Sequence, residues 1–170
     1  MNQVAMRKPF LILCAFFTTV SSLGFAQIAV RVEASTLQGP RPLPEQTGTA
    51  AIRDYLQSWQ SLRAALEQNR TDLLSPAFVG AAQDTLTETI QQQTALGIRT
   101  RYQDRSHDID IVFYSPEGLS IELTDRVEYD VQILDRDGIK TTQHVSARYV
   151  IVLTPAEVRW RVRVFQAALK

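Results

Sequence analysis

Two segments in the first half of the chain carry apolar residues at three- and four-residue spacing, the period of an amphipathic helix. The first segment follows Thr49, a favourable N-cap residue, and is predicted to end near Asn69. The second follows Ser75-Pro76, where Ser suits the N-cap and Pro the first helical position. The apolar stripes are Ile52, Tyr55, Leu56, Trp59, Leu62 and Leu66, then Phe78, Val79, Ala82, Leu86, Ile90 and Leu96.

After residue 97 the apolar period changes to two, which is typical of half-buried strands. The predicted strands are His107–Tyr114, Leu119–Leu134, Thr141–Leu153 and Val158–Phe165, with a short extra strand at Ile98–Gln103. In the last strand, Val158, Trp160, Val162 and Val164 are predicted to share one face and Arg159, Arg161 and Arg163 the other. Helices followed by strands favour an α+β roll, with two N-terminal helices packed on a curved antiparallel meander of four to five strands.

The N-terminus has the features of a signal peptide. Arg7 and Lys8 precede an apolar run, Phe10–Val20, and the small residues Gly24 and Ala26 suit cleavage after Ala26. An uncleaved anchor is the alternative, because residues 10–30 carry no charge and about 20 apolar residues span a bilayer.

The sequence therefore divides into a signal peptide at 1–26, a proline-rich tether at 27–48 and a roll domain at 49–170. Within the tether, Ile28–Val32 fits a short edge strand.

Composition narrows the class of protein. The 170 residues contain 18 basic and 18 acidic side chains, so the basic excess of a general nucleic-acid binder is missing. The single cysteine, Cys14, lies in the apolar run, so the exported chain would have no disulfide. An exported domain that relies on its core alone suits the bacterial periplasm, or secretion from a bacterium.

Several short sequences are similar to those of a known superfamily. Tyr55-Leu56-x-x-Trp59 on the first helix and the closing Val158–Val162 strand resemble the nuclear-transport-factor-2-like (cystatin-like roll) superfamily. Leu96-Gly97 followed by the polar strand Ile98–Tyr102 is similar to the lumenal domain of plastid and cyanobacterial division proteins. The resemblance covers Ala50–Ala167 and implies an α+β roll. Members of the superfamily include transport adaptors, isomerases, dehydratases, cyclases and inert accessory domains, so the resemblance does not identify a function.

No catalytic motif is evident. Ser120 lacks the second glycine of a nucleophile elbow. In a strand, His107 points away from Asp108 and Asp110, so these three residues do not form a metal site. No phosphate loop or dinucleotide fingerprint is present, and we expect no metal and no cofactor.

The polar face of the sheet carries arginines. Arg148, Arg159, Arg161 and Arg163 either form a solvated face with weak ion pairs or converge on an anion or a protein partner. The sequence leaves both interpretations open.

Asp125 is the candidate for ligand binding. It has the parity of the apolar face of its strand, and a carboxylate on that face is costly unless paired or protonated. Either the helices do not reach it, or a nearby arginine or backbone N–H satisfies it, or it lines a pocket with Tyr129, Tyr55 and Trp59. The alternative for Tyr55 and Trp59 is that they are ordinary side chains of the core.

Two functions follow. The first is an exported, non-catalytic accessory domain that binds a protein partner or a small apolar ligand. The alternative is a small isomerase, dehydratase or cyclase that uses a buried carboxylate as general base. We expect no nucleic-acid partner, no membrane contact if the N-terminus is cleaved, and a homodimer as one possible assembly.

Overall fold

The computed structural model describes residues 28–33 and 41–168. The predicted signal peptide lies outside these residues. In chain order the elements are β1 (Ala29–Val32), α1 (Glu45–Gln68), a 3-10 turn (Thr71–Leu73), α2 (Gly80–Ala95), β2 (Arg99–Tyr114), β3 (Ile121–Asp135), β4 (Gly138–Pro155) and β5 (Trp160–Ala167). No helix in the described ranges is long and apolar enough to cross a membrane.

The five strands form one open sheet in the order β1-β2-β3-β4-β5. β1 runs parallel to β2, and every other neighbouring pair is antiparallel. Helix α1 packs against β2 and β5, and α2 packs against β5. The predicted α+β roll is therefore confirmed, and the edge strand predicted within Ile28–Val32 is present as β1.

The first helix starts earlier than its sequence pattern indicates. It begins at Glu45 after Pro44, not after Thr49. Gly48 in the added first turn is buried, and a Cβ there would lie 3.1 Å from the Leu43 side chain, so this turn packs closely on the chain before it. The helix ends as predicted, with Asn69 in the left-handed conformation at φ 53°.

The second helix starts later than predicted. Phe78 forms a parallel bridge with Val162 of β5, and the backbone N–H of Val79 donates to the Val162 carbonyl at 2.9 Å. Gly80, at φ +55°, then turns the chain into α2. The Ser75-Pro76 segment is therefore a turn that leads into a strand-like contact.

Register shifts move several side chains from their predicted faces. In β5, a shift opposite Val152–Leu153 leaves Arg163 without a partner in β4. Val162 is buried and Phe165 packs on the core, whereas Val164 does not. The predicted apolar face of this strand is therefore wrong beyond Val162, and it is wrong for Val158, which is exposed before the strand begins.

The two predicted strands Ile98–Gln103 and His107–Tyr114 form one continuous strand, β2. This strand contains a second register shift. It lies between Asp104 and Ser106 and adds Arg105 as an extra residue. Even-numbered residues such as Asp104 face inward before this bulge, and odd-numbered residues such as His107 face inward after it. The bulge thereby places Asp104 and His107 on the same face.

Candidate functional site: a buried carboxylate–histidine network

Asp125 lies at the centre of the interior and is 0% exposed. Its Oδ2 atom accepts a hydrogen bond from the Tyr55 hydroxyl at 2.7 Å and lies 2.7 Å from Nδ1 of His107. Tyr55 comes from α1 and His107 from β2, so the carboxylate joins the helix layer to the sheet. The partners of Oδ2 are therefore a tyrosine and a histidine, not the arginine or backbone N–H considered from the sequence, and a ligand-binding role for Asp125 stays a prediction.

The network continues from His107 toward the surface. Arg63 of α1 donates to Asp104 Oδ2 at 2.7 Å, and it also donates to the carbonyl of Tyr102 at 3.2 Å. The Asp104 side chain is 2% exposed and that of Arg63 is 31% exposed. Positive and negative groups therefore alternate from Arg63 at the surface to Asp125 in the core.

His107 carries a charge at neutral pH. Burial opposes the charged form, but the neighbouring carboxylates of Asp104 and Asp125, the second of which is hydrogen-bonded to the ring, outweigh it and raise the pKa of His107 to about 9. Nδ1 therefore carries a proton and donates to Asp125. Burial also raises the pKa of Tyr55 well above its ordinary value, and the neighbouring Asp125 raises it further, so the hydroxyl stays a donor.

Asp104 is the second carboxylate beside His107. Burial opposes its ionisation, but His107, Trp59 and the charge of Arg63 hold its pKa below the ordinary value. Oδ1 of Asp104 and the indole Nε1 of Trp59 are both buried, and neither has a partner at full hydrogen-bond geometry. We therefore treat the approach of Trp59 to Asp104 as electrostatic. Oδ1 of Asp125 is buried without a partner in the same way.

Aromatic rings fill the space around the network. The Trp59 ring lies within 6.1 Å, centroid to centroid, of five other rings, those of Tyr102, His107, Tyr129, Tyr149 and Phe165. The hydroxyls of Tyr129 and Tyr149 are hydrogen-bonded at 3.0 Å. Tyr129, predicted beside Asp125, is thus on the same face but bonded to Tyr149.

Two clefts border residues already discussed, one His107 and the other two of the predicted arginines. One, of about 580 Å³, borders β1 and includes Arg31, Arg126, Glu128 and His107 among its neighbours. Because the His107 side chain is only 2% exposed, this cleft reaches the network at most through a narrow contact. No group of metal-ligating residues suited to an ion occurs in residues 28–33 and 41–168.

The second cleft, of about 450 Å³, is bordered by two of the four arginines, Arg159 and Arg161. Arg161 Nη2 donates to the carbonyls of Phe78, at 2.9 Å, and Ser75. Arg163 is exposed at the bulge, and Arg148 lies on β4 directly across from Arg126 of β3. A role for these arginines in partner binding stays a prediction.

The sequence analysis missed His107, Asp104 and Arg63 as members of one site. His107 has the same parity as the buried Ile109 and Ile111, and that signal alone places it on the apolar face. Asp104 could not be found in this way, because the bulge at Arg105 reverses the parity before His107.

Comparison with known proteins defines the fold. The chain has the nuclear-transport-factor-2-like fold. The intermembrane space region of the chloroplast protein ARC6 superposes with a TM-score of 0.62 at 12% identity, covering 76% of this chain and 100% of that one. A protein from Catenulispora acidiphila gives 0.52 at 12% identity over 73% and 94% of the two chains.

A candidate scytalone dehydratase from Novosphingobium aromaticivorans gives 0.50 at 11% identity, over 74% and 89% of the two chains. No family model and no curated protein matches the sequence. At these identities the likeness establishes the fold, and function has to be argued from the residues themselves.

Proposed function

We propose that this chain is a non-catalytic accessory domain that binds a protein partner. The observation that carries the proposal is the filled interior. Asp125 is fully buried, its Oδ2 is occupied by Tyr55 and His107, and the Trp59 ring cluster lies beside them. A general base has to lie within about 3 Å of the proton it removes, which requires space for a substrate next to the carboxylate.

The charge state of His107 argues against one catalytic role, that of a histidine base. His107 has a pKa of about 9 and is protonated at neutral pH, so it is not available as a base. A protonated His107 instead compensates the charge of Asp125, and Arg63 pairs with Asp104. The network then serves to fix α1 on the sheet, and function falls to the outer surfaces of the roll.

Export is part of the proposal. The basic and apolar N-terminus and the small pair Gly24 and Ala26 favour it. The fold likeness to a region of ARC6 that lies in an intermembrane space is consistent with a domain that works outside the compartment of its synthesis.

A small isomerase, dehydratase or cyclase is the second candidate, and one observation favours it. The 580 Å³ cleft borders His107, and Oδ1 of Asp125 has no hydrogen-bond partner. A motion that opened the cleft inward would expose an acid and a carboxylate side by side.

A double variant separates the two functions. His107→Gln with Asp125→Asn keeps the shape and hydrogen-bonding capacity of the pair but removes its ionisable groups. We expect the variant, introduced into a strain lacking the gene, to restore the wild-type phenotype as long as circular dichroism shows it folded. A folded variant that fails to restore the phenotype would favour the enzyme instead.

A further inference from the structure

The second cleft, of about 450 Å³, lies beside the turn that joins β4 to β5, and we call it the turn cleft. It is lined by Ser75, Pro76, residues 156–159 and Arg161. The Ala156 N–H donates to the Arg159 carbonyl at 2.8 Å and closes the turn. On the other side, the chain that follows Pro76 is hydrogen-bonded to Val162 of β5. Backbone hydrogen bonds therefore hold both sides of the turn cleft in place.

Arg161 brings a positive charge to the turn cleft without a counter-charge. Its Nη2 atom donates to the carbonyls of Ser75 and Phe78, which fixes the orientation of the guanidinium. Its Nε atom is buried without a hydrogen-bond partner, and no carboxylate among the described residues forms an ion pair with it. A partly buried cation is costly when it is not paired. A carboxylate supplied from outside would therefore stabilise Arg161.

Arg159 adds a second cation to the same cleft. Its side chain is exposed, and it forms no ion pair within the described part of the chain. Glu157 is the acidic residue that borders the cleft, and it pairs with neither arginine. Two arginines and one glutamate give the lining a net charge of +1. The turn cleft therefore attracts an anion rather than a cation.

Val158 places an apolar side chain beside these charges. It is 84% exposed, the highest value for a large apolar residue in the described ranges. An inorganic anion makes no use of an apolar neighbour, and it fills only a small part of about 450 Å³. A peptide that carries an acidic residue next to an apolar one contacts both kinds of group, as protein interfaces commonly do. The lining is therefore suited to a segment of protein rather than to a free ion.

We propose that the turn cleft binds an acidic segment of a protein partner, with a carboxylate of that segment on Arg161 and Arg159 and an adjacent apolar side chain on Val158. Nη1 of Arg161 carries no hydrogen bond to a described residue, so it donates to the carboxylate, and Arg159 supplies further donors. The inference rests on the proposed function, partner binding, and identifies the surface and the chemistry of the partner.

Selection from a phage-displayed library of random linear peptides on the full chain tests the turn cleft. We expect the enriched peptides to carry Asp or Glu next to an apolar residue, and we expect the affinity of the synthetic peptides to fall as salt increases. Arg159→Ala should weaken their binding about tenfold. Glu157→Gln should strengthen it, because it removes a like charge from the cleft. Arg136→Ala is the matched control, since Arg136 is an exposed arginine in the hairpin between β3 and β4.

Arg161→Lys tests the guanidinium separately, because lysine keeps the charge but replaces the planar fork with a compact ammonium. We expect this variant to bind the peptides several-fold more weakly while circular dichroism shows it folded. The proposal is overturned if no peptide is enriched, or if the enriched peptides lack carboxylates. Peptides whose binding survives both Arg159→Ala and Arg161→Lys overturn the turn cleft but not partner binding, which then uses another surface.

Discussion

Replacing Asp125 with Asn perturbs the buried network at its centre. The change preserves size but removes the charge that faces the protonated His107. In the wild type, Oδ2 accepts from Tyr55 and lies 2.7 Å from His107 Nδ1. An amide oxygen accepts more weakly, and the amide NH2 group adds donors where two donors already converge. The imidazolium then has Asp104 as its only close counter-charge.

The expected loss of stability follows from the burial of Asp125 and from the counter-charge that Asp104 still provides. Removing one partner of a buried ion pair costs about 3–5 kcal/mol. Asp104 still compensates part of the charge on His107, so we expect the lower end, about 3 kcal/mol. For a domain of this size, that loss lowers Tm by about 10 °C.

Urea unfolding followed by tryptophan fluorescence measures the loss at pH 7. Asp130→Asn is the matched control, because Asp130 also bonds a histidine and an arginine, His144 and Arg105, but lies at the exposed face. We expect the control to cost less than about 1 kcal/mol. An Asp125→Asn variant as stable as the wild type, or more stable, would refute the structural pairing and favour a carboxylate kept for a ligand.

Three further outcomes are expected. The pKa of His107 is about 9 in the folded state and about 6.5 in the unfolded state. Its contribution to the free energy of unfolding is therefore complete below about pH 6.5 and is lost as the pH rises through about 9. Unfolding curves at several pH values should show this decline. Asp54→Ala should lower the free energy of unfolding by about 1–3 kcal/mol, because Asp54 Oδ2 accepts from the backbone N–H of Trp160 at 2.8 Å and ties α1 to β5. Arg161→Ala should cost about 1 kcal/mol through its lost carbonyl contacts, whereas Arg159→Ala should have almost no effect on thermal unfolding.

Periodicity predicted the architecture well because the core depends on it. Four of the six residues in the predicted stripe of α1 are buried, namely Tyr55, Trp59, Leu62 and Leu66. Gly138, in the hairpin between β3 and β4, has the positive φ that such turns favour, at +118°. These features are local, so neighbouring residues are sufficient to specify them.

The site was harder to predict because it depends on register. Asp125 was found from parity, since no bulge interrupts β3 around it. Asp104 was not, because Arg105 shifts the register of β2 and brings Asp104 to the face of His107. A bulge is set by the pairing of two strands, and the sequence of one strand does not reveal it. The pairing of Arg63 with Asp104 also depends on how α1 crosses the sheet.

The titration of the His107 imidazole, followed by nitrogen-15 NMR on the uniformly labelled chain, tests the central claim most directly. A structural network that links the helix layer to the sheet predicts an imidazolium at neutral pH, with both ring nitrogens protonated and deprotonation only near pH 9. A ring that titrates near or below 6.5 would instead be a neutral histidine beside a carboxylate, available as a base, and would contradict the account of a filled, non-catalytic interior.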